Sequence, residues 1–95
     1  METVSVMLPP VLAALAGDSR VHQVSLPDGG TVGALLDALA AKYPVFGRRV
    51  RDETGAVRRY VNIFVDGEDI RGLDGASTAV RPGQELMIIQ SIAGG

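Results

Sequence analysis

The stretch that decides the fold is TVGALLDALAAKY, residues 31–43, which has the clearest helical periodicity in the chain. Its apolar side chains recur every three or four residues, the spacing that places them on one face of an α-helix. They are Val32, Leu35, Leu36, Leu39, Ala40 and Tyr43. Thr31 is a favourable N-cap, and Pro44 stops the helix. The pattern predicts one amphipathic helix whose apolar face packs on a second layer.

Segments with strand character lie on both sides of this helix. They are rich in β-branched and apolar residues, partly in alternation, and turn-forming residues separate them. The predicted strands are residues 3–8, 21–26, 60–65, 68–71 and 86–90, the fourth being a short edge strand. Shorter helical turns are predicted near residues 11–16 and 45–50. The polar segment 51–58, with Gly55 in its middle, is predicted to be an exposed loop.

This order of elements defines a fold class. The first two strands form a hairpin, the helix crosses one sheet face, and right-handed crossover places the first and last strands side by side in parallel. We therefore expect an α+β β-grasp fold, a mixed sheet of four to five strands with one main helix packed on one face.

The composition narrows the classes of function. At 95 residues the chain fits one domain, and its net charge of −2 does not suggest nucleic acid as the main partner. It has no cysteine and one histidine, His22, so no metal site is expected. No apolar run approaches the ~18 residues of a membrane span. We expect a cytoplasmic monomer that does not bind membranes.

The last residues, Gln90-Ser91-Ile92-Ala93-Gly94-Gly95, form an uncharged tail. Glycine has no Cβ and contributes no packing, but bare backbone fits a narrow enzyme channel. From Ile92 to Gly95 an extended tail would reach roughly 13 Å. We therefore divide the chain into a domain, residues 1–91, and a flexible tail, residues 92–95. A frayed terminus without a function is the alternative.

Taken together, these features resemble the ThiS/MoaD-type sulfur carriers, which are prokaryotic relatives of ubiquitin. The resemblance rests on the element order, the turn RPGQE at residues 81–85, the apolar last strand and Gly94-Gly95. The segment RYVNIFVDGEDIR, residues 59–71, is most similar to carriers of thiocarboxylate-dependent cysteine biosynthesis and of secondary-metabolite sulfur incorporation. The molybdopterin-synthase small subunit is an alternative, although residues 90–93 lack the prolines expected there.

The resemblance implies a carrier and not an enzyme. An E1-like enzyme would use ATP to adenylate the carboxylate of Gly95, which sulfur transfer then converts to a thiocarboxylate for a sulfur-accepting synthase. Gly94, Ala93 and Ile92 would form the tail that enters both enzymes, and the carrier itself would bind no cofactor. A terminal carboxyl group has a pKa of about 3.5 and is a poor electrophile when ionised, so activation must come from outside.

Two other functions remain open. One is a ubiquitin-like covalent protein modifier, although the single lysine, Lys42, gives little support to lysine-linked chains. The other is a β-grasp binding module in which the terminal glycines have no role.

A partner-docking surface is predicted on the sheet. Both faces of the last strand are apolar, whereas one helix covers only one sheet face. Phe64, Met87 and Ile89 are therefore predicted to dock partners, with Met7 and Tyr60 on the same outer face. Partial shielding of a central strand by loops explains the pattern equally well.

Five of the nine basic residues lie close together in the sequence. They are Arg48, Arg49, Arg51, Arg58 and Arg59. They could bind an acidic partner or RNA, but Asp52 and Glu53 between them favour a mixed, solvated loop.

Overall fold

The computed structural model describes residues 3–25 and 30–90. Within these residues there are five strands: β1 Thr3–Met7, β2 Val21–Ser25, β3 Val61–Val65, β4 Glu68–Asp69 and β5 Glu85–Gln90. The α-helices are α1 Pro10–Ala13, α2 Val32–Lys42 and α3 Pro44–Val50, and short 3₁₀ helices span Ile70–Gly72 and Gly75–Ser77. The part of the predicted second strand at Leu26 lies outside the described residues.

The five strands form one mixed sheet in the order β2-β1-β5-β3-β4. The first and last strands, β1 and β5, run in parallel, and all other neighbours are antiparallel. The central strand is therefore β5, the segment whose sequence is apolar on both faces. The predicted β-grasp fold is confirmed.

The main helix, α2, forms as its sequence predicts. The hydroxyl oxygen of Thr31 accepts a hydrogen bond from the Ala34 N–H at 3.1 Å, which caps the first turn. The apolar stripe faces the sheet, and its side chains at Val32, Leu35, Leu36 and Leu39 are buried. The helix ends at Lys42, because Pro44 cannot continue its hydrogen bonding.

The core lies between the sheet and the helices. Its buried residues extend from Val4 to Ile88, and α3 adds Phe46 and Val50. The predicted helical turn after Pro44 is therefore a seven-residue helix that closes one end of the core. The predicted edge strand is shorter than expected, because the chain turns into a 3₁₀ helix at Ile70.

The segment that follows α3 is an ordered turn. An isolated β-bridge joins Arg51 to Val57, and the Asp52 carboxylate accepts hydrogen bonds from the Thr54 N–H, the Thr54 hydroxyl and the Ala56 N–H. None of the helices within residues 3–25 and 30–90 is long and apolar enough to cross a membrane.

Candidate functional site

The sheet face opposite the helices carries a row of apolar side chains across four strands. The strand register aligns Val21 with Met7, Met7 with Met87, and Met87 with Phe64. Ile89 lies two residues beyond Met87 on the same face. We call these five residues the outer apolar surface. Val21, Met87 and Ile89 are 49%, 40% and 39% exposed, which is high for large apolar side chains.

All three predicted docking residues lie on this outer face. Phe64, Met87 and Ile89 line an open depression of about 380 Å³. Asp66 and Glu85 line it as well. The depression is therefore lined by both apolar and acidic residues, which suits an apolar side chain flanked by donor groups. Their docking role stays a prediction.

Val21 belongs to the outer apolar surface although the sequence did not point to it. The alternation within β2 predicts that His22 and Val24 face the core. Val21 then lies on the opposite, polar face together with Gln23. Only the register with Met7 shows that Val21 continues the apolar row. The sequence could have identified Val21 only if it had predicted the register between β1 and β2, which places Val21 beside Met7.

Asp66 holds one border of the depression in place. Its carboxylate accepts hydrogen bonds from the Glu85 N–H at 2.9 Å and from Nε2 of Gln84 at 3.0 Å. These donors, the Glu85 N–H first, hold the pKa of Asp66 below its ordinary value, because they stabilise the ionised form. The turn after β3 is thereby tied to the first residues of β5.

The tail itself lies outside the described residues. This applies to the predicted attachment residue Gly95 and to Gly94, Ala93 and Ile92. The last described residue is Gln90, which pairs with Val61 at the end of β5. Its Oε1 atom is buried and accepts no hydrogen bond from residues 3–25 and 30–90.

Tyr60 does not lie on the outer apolar surface, contrary to the expectation from its place in the sequence. It packs against the core and lines a second concavity of about 250 Å³. The reason is that β3 begins at Val61, so strand alternation does not orient Tyr60. We call this concavity the arginine groove, lined by Val45, Arg48, Arg49, Arg58 and Tyr60.

The single histidine has a packing role, as expected. Nε2 of His22 lies 2.9 Å from the Ser19 carbonyl oxygen, and its ring meets Tyr43 edge to face with centroids 5.6 Å apart. Across residues 3–25 and 30–90, no group of three or more histidine and acidic side chains is placed to hold a metal ion.

The comparisons with known proteins agree with this geometry. The ThiS family model matches residues 6–95, so the chain belongs to the ThiS family. Over 94 residues the chain is 34% identical to the sulfur carrier protein CysO of Mycobacterium tuberculosis, an alignment that covers 97% of this chain and 98% of CysO.

Two solved structures have the same fold over nearly their whole length. The crystal structure of SAMP1, a small archaeal modifier protein from Haloferax volcanii, superimposes with a TM-score of 0.84 at 30% identity and covers 98% of this chain and 99% of that one. A chain in the BexX/CysO complex of Amycolatopsis orientalis gives a TM-score of 0.81 at 27% identity, with 97% and 99% covered.

Proposed function

We propose that this chain is a sulfur carrier whose Gly95 carboxylate is converted to a thiocarboxylate. The observation that carries the proposal is the match to the ThiS family, which extends to residue 95 and so includes Gly94-Gly95. The 34% identity to a sulfur carrier over nearly the full length supports it. We also propose the division into a domain, residues 1–91, and a tail, residues 92–95.

The chemistry requires a partner enzyme with ATP. An oxygen of the Gly95 carboxylate attacks the α-phosphorus of ATP, pyrophosphate leaves, and an acyl-adenylate forms. Hydrosulfide then attacks the carbonyl carbon, AMP leaves and a proton is released, which gives the thiocarboxylate. This chain supplies the carboxylate and the docking surface, whereas the activating enzyme supplies the catalytic groups. Because the reaction needs ATP, we place it in the cytoplasm.

The outer apolar surface is the proposed docking site for the activating enzyme. It lies on the sheet face that α2 does not cover, and it extends along β5 to Ile89, near the end of that strand. Apolar residues in the centre of an interface contribute most of its binding free energy. A domain held there would leave the tail free to enter the partner's channel. A sulfur-accepting synthase, for an amino acid or a secondary metabolite, is the proposed second partner, and the carrier is proposed to be a monomer on its own.

A protein modifier is the second candidate function. The similarity to SAMP1, a protein named as a modifier, favours it. Both functions begin with adenylation of Gly95, and they differ in the acceptor. A modifier forms an amide bond with an amino group of a target protein, whereas a carrier hands over only the sulfur atom.

Mass spectrometry of the intact protein tests the proposal. The purified chain is incubated with the E1-like enzyme from the same genome, ATP and sulfide. We expect a product with one sulfur in place of one oxygen, located in the C-terminal peptide. A variant with one alanine added after Gly95 is the control, and it should stay unmodified.

Three outcomes separate the candidates. Thiocarboxylate on the wild type alone supports the carrier. Conjugates with target proteins in cell extract, without free thiocarboxylate, support the modifier. Unmodified wild-type protein with every E1-like enzyme of that genome contradicts both and favours a binding module.

A further inference from the structure

The arginine groove is bordered by hydrogen bonds from the side chain and the backbone of Arg58 to the end of α3. Nε of Arg58 donates a hydrogen bond to the Arg48 carbonyl oxygen at 2.8 Å, and the Arg58 N–H donates to the Val50 carbonyl oxygen at 2.9 Å. These bonds fix the segment before β3 against the end of α3. Arg48 and Arg49 are exposed on the last turn of that helix. The groove is therefore formed before any ligand binds.

The positive charge of the groove is only partly offset by the acidic residues near it in the sequence. Arg51 pairs with Asp37 at 2.7 Å and so takes no part. The Asp52 carboxylate is held by its own turn, although it lies close enough to Arg58 to sense its charge. Within residues 3–25 and 30–90, no carboxylate lies within salt-bridge distance of Arg48, Arg49 or Arg58.

The groove opens at the end of the sheet from which the tail departs. Tyr60 directly precedes Val61, which pairs with Gln90. Gly95 is five residues beyond Gln90, a distance of up to roughly 17 Å for extended chain. When the tail is extended into an enzyme, a nucleotide at Gly95 is beyond the reach of these arginines. A ligand of the groove would then be a group on the partner's surface, near the entrance of its channel, and not the nucleotide.

We propose that the arginine groove binds an acidic segment of the partner protein at the entrance of the channel that accepts the tail. Guanidinium groups bind carboxylates in a bidentate manner, and the groove presents three of them. Val45 and Tyr60 in the lining suit the methylene groups of a glutamate side chain. RNA is disfavoured because Tyr60 is the single aromatic residue among those that line the groove, whereas RNA binding relies on stacking of successive bases. The identity of the partner rests on the proposed function, whereas the acidic chemistry does not.

An NMR titration tests the acidic chemistry with the chain alone. The ¹⁵N-labelled protein is titrated with a hexaglutamate peptide in about 0.05 M and about 0.5 M NaCl, because exposed charge pairs are screened by salt. We expect shift changes confined to amides of residues 45–60 at low salt, and their loss at high salt. Shift changes spread evenly over all arginines would overturn the proposal.

A matched pair of variants locates the binding site. Arg49→Glu reverses a charge in the groove and should weaken peptide binding about tenfold. Arg81→Glu makes the same change in net charge at the turn before β5, at the opposite end of that strand, and should bind as the wild type does. Equal weakening in both variants would overturn the proposal, since net charge alone would then explain the binding. If the reversed charge in Arg49→Glu perturbs folding, the same titration is made with Arg49→Gln, which removes the positive charge and should also weaken peptide binding.

Two further arms separate the alternatives. A single-stranded RNA octamer that binds at residues 45–60 more tightly than hexaglutamate would overturn the protein-partner proposal. With the activating enzyme, Arg49→Glu should raise the KM for the carrier about tenfold at low salt with kcat unchanged. An unchanged KM would overturn the proposal even where the carrier function holds. If the wild type is not adenylated at all, the proposed function fails while the peptide titration still decides the chemistry of the groove.

Discussion

At the scale of single residues, Asp66 connects the turn after β3 to the start of β5, beside the proposed docking surface. Its backbone has a φ of +49°, a left-handed conformation that aspartate tolerates better than most residues. The Asp66 N–H donates to the Glu85 carbonyl oxygen at 2.9 Å, and its carboxylate accepts from Glu85 and Gln84. Asp66 thus takes part in three hydrogen bonds, which join the end of β3 to the start of β5.

These bonds predict a dependence of stability on pH. The pKa of Asp66 is lower in the folded state than the unfolded value of 3.8. Its stabilising contribution is therefore present above pH 3.8 and is lost as the pH falls toward the folded pKa. In Asp66→Asn the free energy of unfolding should decline less steeply across this acidic range than in the wild type, as measured by urea denaturation at a series of pH values.

Glu53→Gln is the control for this experiment. The Glu53 carboxylate is exposed and accepts no hydrogen bond from residues 3–25 and 30–90, so the variant should follow the wild-type curve. An acid response of Asp66→Asn identical to that of the wild type would show that the two hydrogen bonds to the Asp66 carboxylate do not persist in solution.

At the scale of secondary structure elements, the contact between α2 and α3 depends on a glycine. A Cβ atom at Gly47 would lie 2.5 Å from Cβ of Ala40, closer than carbon atoms pack, and 3.1 Å from its Cα, which is a tight contact. The two helices therefore approach through small residues, and this approach brings Phe46 and Val50 into the core. The arginine groove depends on the same approach, because α3 carries Arg48 and Arg49.

Gly47→Ala should lower the free energy of unfolding by about 1–3 kcal/mol through overpacking, measured by chemical denaturation. Gly72→Ala is the matched control, since nothing lies within 4 Å of a Cβ atom there. We expect Gly72→Ala to change stability by less than about 0.5 kcal/mol. If both variants were equally stable, α3 would be free to move away from α2.

At the scale of the whole molecule, the outer apolar surface exists because five strands share one sheet and the helices cover only one of its faces. Its residues come from four strands that are distant in sequence. Core packing already buries Leu86 and Ile88 on the other face of β5. The apolar side chains on the outer face are therefore not needed for the core, and docking is the function we propose for them.

Ile89→Asp should weaken binding to the activating enzyme at least about tenfold, because a charge would be buried in the interface, while the monomer stays folded. Isothermal titration calorimetry measures the first effect, and thermal unfolding measures the second. Leu73→Asp is the matched control, since Leu73 is 41% exposed, close to the 39% of Ile89, and lies outside the outer apolar surface. An unfolded Ile89→Asp variant would show that Ile89 belongs to the core.

The sequence was sufficient for elements whose pattern is local. The spacing from Val32 to Leu39 predicts α2 and its buried face, and Thr31 predicts its cap. The parallel pairing of β1 with β5 followed from chain order and handedness. Such features depend on residues within a few positions or on a general rule of topology, so no knowledge of packing is required.

The sequence by itself thus determined the fold class, the position of α2 and the apolar character of β5. Only the tertiary structure decided which side chains meet. Val21 joins the outer apolar surface through its register with Met7, and Tyr60 leaves that surface because β3 begins one residue later than expected. Arg48 and Arg58 come together only when α3 packs beside the segment before β3. Contacts between distant segments depend on register and helix packing, which a single sequence does not encode in any local pattern.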